Sequence, residues 1–237
     1  MPNDTNIDIF LEGFELYQKV IRHDYMAHAD LHQAVERFFY EHEPAGPRLL
    51  DLGCGDAWLS SKFMRHDRFH DFHGVDLSAK ALKEAQKRLA MAKSVSFAVE
   101  DLAEFVGGSS LTFDAVFVGY SLHHFATDRK AKFLRMVRDR LDPTSHLLIY
   151  DVFCETNESR EAYLARYLGW VRKTWLEMNE REHQLIVEHI SGSDFPESAD
   201  DLSAMAERAG LKSLGERWCD ASGFHRLLVF QAPSDRD

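Results

Sequence analysis

The sequence predicts an α/β fold, a mostly parallel sheet of seven strands with helices on both faces, finished by a C-terminal antiparallel hairpin. Three observations carry this. From Arg48 onward, short apolar runs alternate with helix-compatible segments, which is the pattern of a parallel sheet covered on both sides. The run from Leu49 to Leu52 ends in Gly53-Cys54-Gly55, a sharp turn from a buried strand into a helix. Near the end, LKSLGERWCD (211–220) and FHRLLVFQA (224–232) are strand-like runs separated by Ala221, Ser222 and Gly223, as in a hairpin.

Taken in order, residues 7–42 form two amphipathic helices, with Ile9, Phe10, Phe14, Tyr17 and Val20 along the first and Leu31, Val35, Phe38 and Phe39 along the second. The parallel strands are expected at 48–53, 71–76, 95–100, 113–119 and 145–152. Between them lie helices at about 57–66, 78–92 and 127–141, and a short turn near 102–106. Ser78 is the expected N-cap of the second of these helices, Thr127 caps the third, and Pro143 helps to stop it. The basic stretch RKAKFLRMVRDR (129–140) keeps Phe133, Leu134, Val137 and the following Leu141 on one face, so its charges form the solvated side of a packed helix. An insertion at 154–195 carries Tyr163, Tyr167, Trp170 and Trp175 near helical spacing, with His183 and His189. A last helix runs from near Ser198 to a C-cap at Gly210.

At 237 residues the chain suits one domain, residues 1–237. It divides into a helical cap (1–45), a core (46–153), a lid insertion (154–197) and a C-terminal helix and hairpin (198–237). A net charge of -11 opposes binding to phosphate backbones and anionic bilayers, so neither nucleic acid nor membrane is expected as a partner. Cys54, Cys154 and Cys219 are widely spaced and odd in number, which fits a reducing compartment. Without a leader-like N-terminus or eighteen consecutive apolar residues, a cytoplasmic monomer or homodimer is expected. His28 and His32 share a helix face but lack the glutamate and third ligand of a zinc site, so no metal is expected.

The glycine turn is where the chemistry concentrates. Glycine permits positive φ and lets a ligand press against bare backbone, and the helix behind it offers free amides. Asp51 lies two residues before Gly53, and Asp76 closes the next strand about 20 residues downstream, where a carboxylate meets ribose hydroxyls in such folds. Asp51, Gly53 and Gly55, with Ala57 in place of a third glycine, resemble the acid-x-Gly-x-Gly-x-Gly motif of the class I S-adenosylmethionine-dependent methyltransferases. FDAVFVGYSLHHF (113–125) is similar to a second motif of that family, including its Ser-Leu-His-His ending.

The resemblance covers residues 48–153 and implies a Rossmann-like sheet binding S-adenosylmethionine. It places Asp76 on the ribose hydroxyls and Leu77 on the adenine face, with Asp101 accepting from the adenine amino group and the amide of Leu102 meeting a ring nitrogen. Asp51 and the amides around Gly53 and Gly55 would hold the methionine portion, with Gly119 beside them. The polar residues of the cap that would reach the cofactor are Tyr17, Arg22, His23, Tyr25 and His28. Helix capping is the competing role for Asp76 and Asp101.

Residues 119–124 fall beyond the carboxyl end of a strand, where open α/β sheets bind ligands. His123, then His124, then Asp151 are the candidate proton acceptors, ranked by how readily a neutral base forms at cellular pH. Tyr120, Tyr163, Tyr167 and Trp170 are the candidate substrate wall. The implied activity is methyl transfer to an O, N or S atom of a small metabolite. The alternatives are an NAD-dependent oxidoreductase, opposed by Asp51 and by Trp58 where a glycine would stand, and a non-catalytic S-adenosylmethionine-binding regulator.

Overall fold

The structure, a computed structural model, describes residues 13–42, 46–64, 71–92 and 94–234. Ile9 and Phe10 lie outside them. Seven strands form one sheet: β1 (Arg48–Leu52), β2 (Asp71–Asp76), β3 (Val95–Val99), β4 (Phe113–Gly119), β5 (Leu141–Val152), β6 (Lys212–Cys219) and β7 (His225–Gln231). Their order is β3-β2-β1-β4-β5-β7-β6. The first five run parallel, and β7 pairs antiparallel with both β5 and β6. From β1 the chain builds outward to β3, then returns to place β4 on the other side, so a crevice opens between the carboxyl ends of β1 and β4.

The central strands are buried on both faces, and successive side chains alternate between two cores. Leu50, Leu52, Val116 and Val118 face Phe133, Leu134 and Val137 of the helix Thr127–Arg138 and Leu202 and Met205 of the helix Ala199–Arg208. Leu49, Ala115, Phe117 and Leu148 face Leu31, Val35, Phe38 and Phe39 of the helix His28–His42, along with Leu82 and Ala85 of Ala79–Arg88. Ser78 caps the last of these through the amide of Ala81, as expected.

A third core joins the cap to the insertion. Helix α1 (Phe14–Arg22) contributes Val20, while the insertion forms two helices, Arg160–Thr174 and Glu180–Ser193, contributing Tyr163, Tyr167, Val171, Trp175, Ile186 and Ile190. Lys19 pairs with Glu182 at 2.7 Å and Tyr25 stacks on Trp175 at 5.1 Å, so cap and lid are tied to each other over the crevice. Among the described residues no helix is long and apolar enough to cross a membrane.

Several boundaries depart from expectation for local reasons. Ala57 takes φ 53°, which no helix tolerates, so the helix after the glycine turn begins at Ser60 rather than 57. The turn near 102–106 is a helix, Leu102–Gly108, capped by the Asp101 side chain. Thr127 is the first residue of its helix and not the cap, because its hydroxyl donates to Glu197 at 2.8 Å. That helix ends at Arg138 without help from Pro143, which sits inside β5 where the register against β4 shifts between Phe113 and Ala115.

Candidate active site

The crevice is a cavity of about 240 Å³ between the carboxyl edge of the sheet, the cap and the lid. Asp51, Gly53, Gly55, Asp76, Gly119 and Tyr17 line one end of it. Trp58, Tyr120, Tyr167 and Trp175 also line the cavity, together with Tyr150 against Gly119 and with His28, His123, His124, His189 and Asp194.

At the first end the backbone is bare by necessity. Gly53 has φ 81°, and a Cβ there would stand 2.0 Å from Ser121 Oγ; one on Gly119 would meet the Tyr150 ring at 2.1 Å. Ala57, in the third glycine position of the motif, holds the left-handed conformation a glycine would take, at a cost of roughly 1 kcal/mol. Asp76 accepts hydrogen bonds from the amides of Gly55 (2.8 Å) and Ser78 (2.7 Å), and burial pushes its carboxyl above the usual range despite them. Asp51 accepts from the Ser60 hydroxyl, and burial, with Asp76 nearby, drives its pKa up to about 7.

Two desolvated carboxyls beside open backbone make a site for a cation that also carries hydroxyls. No Lys or Arg is among the described lining residues. S-adenosylmethionine, with its sulfonium, ammonium and ribose diol, fits that donor set.

At the other end, Tyr120 takes φ 47° as the chain leaves β4, and a single 3₁₀ turn, Leu122–His124, follows. Asp151, from β5, accepts from the His123 amide at 3.0 Å and from its Nδ1–H. A carboxylate can only accept, so Nδ1 carries a proton and, in the neutral ring, Nε2 presents a lone pair. That Nε2 stands 3.7 Å from Asp194 Oδ1. Burial pulls the His123 pKa down, but Asp151 and Asp194 outweigh it and hold it above 6.5. Burial lowers His124 well below 6.5, and its Nδ1 donates to the Ser193 carbonyl at 3.2 Å. Burial lowers His189 to about 4 and raises Asp194 to about 6.

The structure brings together Tyr17, Asp51, Gly53, Gly55, Asp76, Gly119, Tyr120, His123, His124 and Tyr167 from the expected set, and His28 of the cap. Six expected site residues do not line the cavity. Asp151 is buried behind His123 and orients it. Leu77 is 51% exposed, and Leu102 packs in the core. Asp101 caps the Leu102–Gly108 helix and forms a two-pronged pair with Arg129 at 2.8 and 2.7 Å, so its carboxylate is already occupied. Tyr163 stacks behind Tyr167 at 5.4 Å, and Trp170 stacks on Tyr167 at 5.7 Å while packing on Phe224. Arg22, His23 and Tyr25 of the cap also stay outside the lining. Asp194, which sequence reasoning missed, has no local motif; it reaches the site because the Phe195 amide donates to the His123 carbonyl at 2.8 Å.

A glycine turn and acids at the mouth of a doubly wound sheet define a nucleotide-type cofactor enzyme, and the match of residues 49–144 to the family described as methyltransferase domain makes it more specific. The chain carries a methyltransferase domain over residues 49–144, and the nicotinamide alternative falls with that match. Its fold is similar to that of the N-methyltransferase NodS from Bradyrhizobium japonicum, in complex with S-adenosylhomocysteine (TM-score 0.60, 15% identity, 86% of this chain and 87% of that one). It is also similar to magnesium protoporphyrin IX methyltransferase (ChlM) from Synechocystis with bound S-adenosylhomocysteine (TM-score 0.68, 16% identity, 95% and 97%). An O-methyltransferase family protein from Burkholderia thailandensis shares the fold as well (TM-score 0.61, 18% identity, 91% and 62%). At these identities the likeness is one of fold. No curated protein sequence matches the chain.

Proposed function

We propose that this enzyme methylates an O, N or S atom of a small metabolite bound in the aromatic end of the cavity. The observation that supports this most directly is the continuity of the cavity, which runs from the glycine turn and its carboxyls to His123 beneath the lid. Asp51 and the backbone around Gly53 and Gly55 hold the methionine portion of the cofactor, Asp76 the ribose hydroxyls, and Gly119 and Tyr17 close the cradle. The bound cofactor supplies an electrophilic methyl group on a sulfonium. Trp58, Tyr120, Tyr167 and Trp175 exclude water and align the acceptor, which is the main demand of an in-line displacement. His123 Nε2 takes the proton the acceptor sheds, and Asp151 keeps the imidazole in the correct tautomer.

In this reading the chain works as one domain whose cap and lid enclose the reaction. The net charge of -11 argues against a nucleic-acid partner, and the free cysteines fit a cytoplasmic monomer or homodimer.

S-adenosylhomocysteine is expected to raise the melting temperature, and the enzyme to transfer labelled methyl into a metabolite extract. A protein that S-adenosylhomocysteine does not stabilise would sink the proposal. The two stacked aromatics give a finer test. Tyr167→Ala is expected to raise the acceptor KM with cofactor affinity within about threefold, under 1 kcal/mol. Trp170→Ala, outside the lining, is expected to lower the melting temperature more than it alters KM; the reverse pattern would place Trp170 in the substrate wall.

A further inference from the structure

We propose that the acceptor atom is a nitrogen bearing at least two hydrogens, a primary alkyl or aryl amine, held between His123 Nε2 and Asp194. This rests on the cavity being the methyl-transfer site.

Two hydrogen-bond acceptors converge at that point. His123 lines the cavity and its Nδ1–H is committed to Asp151, so in the neutral ring, the form that can act as base, Nε2 is a bare lone pair. Asp194 also lines the cavity, only 3% exposed, and its buried Oδ1 has no hydrogen-bond partner among the described residues. A buried carboxylate oxygen left bare is costly, so the site calls for a donor there. The two atoms are 3.7 Å apart, within ion-pair reach when the ring is protonated but too far to hydrogen-bond to each other, whereas one donor atom about 2.9 Å from each spans the gap.

The number of hydrogens then selects the atom. A hydroxyl or thiol brings one and leaves one of the two acceptors bare. A neutral amine brings two, satisfies both, and keeps its lone pair for the methyl group. The surroundings agree: with no Lys or Arg among the described lining residues, an acceptor carrying a phosphate or carboxylate would be buried unpaired, whereas the Trp58, Tyr120 and Trp175 rings suit a flat or cationic body.

In the reaction, the nitrogen lone pair forms the N–C bond as the S–C bond breaks and its electron pair stays on sulfur. The positive charge thereby passes to the nitrogen. The methylated ammonium then gives one proton to His123 Nε2 and keeps its other hydrogen on Asp194.

A metal ion is the competing occupant, since His123, His124 and Asp194 each place a ligand atom within 4.8 Å of the others. The His124 nitrogen 3.9 Å from Asp194 Oδ1 is Nδ1, however, whose hydrogen goes to the Ser193 carbonyl. That leaves two ligands, fewer than the three protein ligands of a catalytic zinc site.

The test has two arms. With ¹³C-methyl S-adenosylmethionine and a metabolite extract, the labelled product is expected to show the NMR shift of an N-methyl carbon; an O-methyl or S-methyl product overturns the proposal. On protein saturated with S-adenosylhomocysteine, calorimetry compares benzylamine with benzyl alcohol. The amine is expected to bind at least about tenfold more tightly, and Asp194→Asn to shrink that preference below about threefold while S-adenosylhomocysteine affinity is kept. Equal or absent binding of the two probes, or a preference unchanged in Asp194→Asn, overturns it. So does a stoichiometric transition metal in the purified protein that is lost in His123→Gln. Failure of the wild-type protein to bind S-adenosylhomocysteine would instead overturn the underlying assignment of the cavity.

Discussion

Replacing His123 by Gln is expected to lower kcat by about 10²- to 10⁴-fold, the usual worth of a positioned general base, with S-adenosylhomocysteine affinity retained. The expectation comes from geometry: the Asp151 carboxylate fixes the tautomer and turns Nε2 to the cavity. The pH dependence has a definite sign. His123 is faced by Asp151 from β5 and Asp194 from the lid, which raise its pKa, and by Lys130 from the Thr127–Arg138 helix, which lowers it. His124 and His189 stand beside them. A base acts only when neutral, and a pKa held above 6.5 means activity falls as pH drops through a value above 6.5. Asp151→Asn removes the largest raising influence, so it is expected to move that acidic limb to lower pH and also lower kcat, because the tautomer is no longer enforced. Near-normal kcat with an unchanged pH profile in His123→Gln would show that alignment and desolvation carry the reaction alone.

What the sequence disclosed and what it hid follow a physical line. Asp51, Gly53 and Gly55 sit within a few residues, and backbone geometry alone demands glycine at Gly53, so local pattern sufficed. The sheet was legible for the same reason: its central strands are buried on both faces and read as apolar runs. Tyr167 and Trp170 look equivalent in the sequence, and only the seating of their helix against Phe224 and His225 puts one in the cavity and the other behind it. Asp101 illustrates another limit. An acid after a strand can accept from a ligand or cap the next helix, and Arg129, the residue that settles its present role, comes from a distant helix. Asp194 was hidden because its meaning exists only where the lid folds back on His123.

Asp76→Ala is expected to weaken S-adenosylmethionine binding by roughly ten- to a hundredfold. Hydrogen bonds to a charged group contribute about 1.5 to 3 kcal/mol each, and a ribose diol would lose its acceptor. The same carboxylate also holds the amides of Gly55 and Ser78, so part of any loss will come from a loosened glycine turn. Asp76→Asn separates the two contributions. It keeps a carbonyl oxygen for one of the two backbone amides but turns an NH2 towards the other and removes the charge, so it should lose less of the melting temperature than Ala and still lose affinity. Titration calorimetry with S-adenosylhomocysteine on both variants, alongside thermal denaturation, reads the two effects independently. If both variants fold and bind with wild-type affinity, Asp76 does not meet the ribose, and the cofactor must lie elsewhere in the crevice. If affinity and stability fall together in Ala but neither falls in Asn, the carboxylate serves the turn and not the ligand.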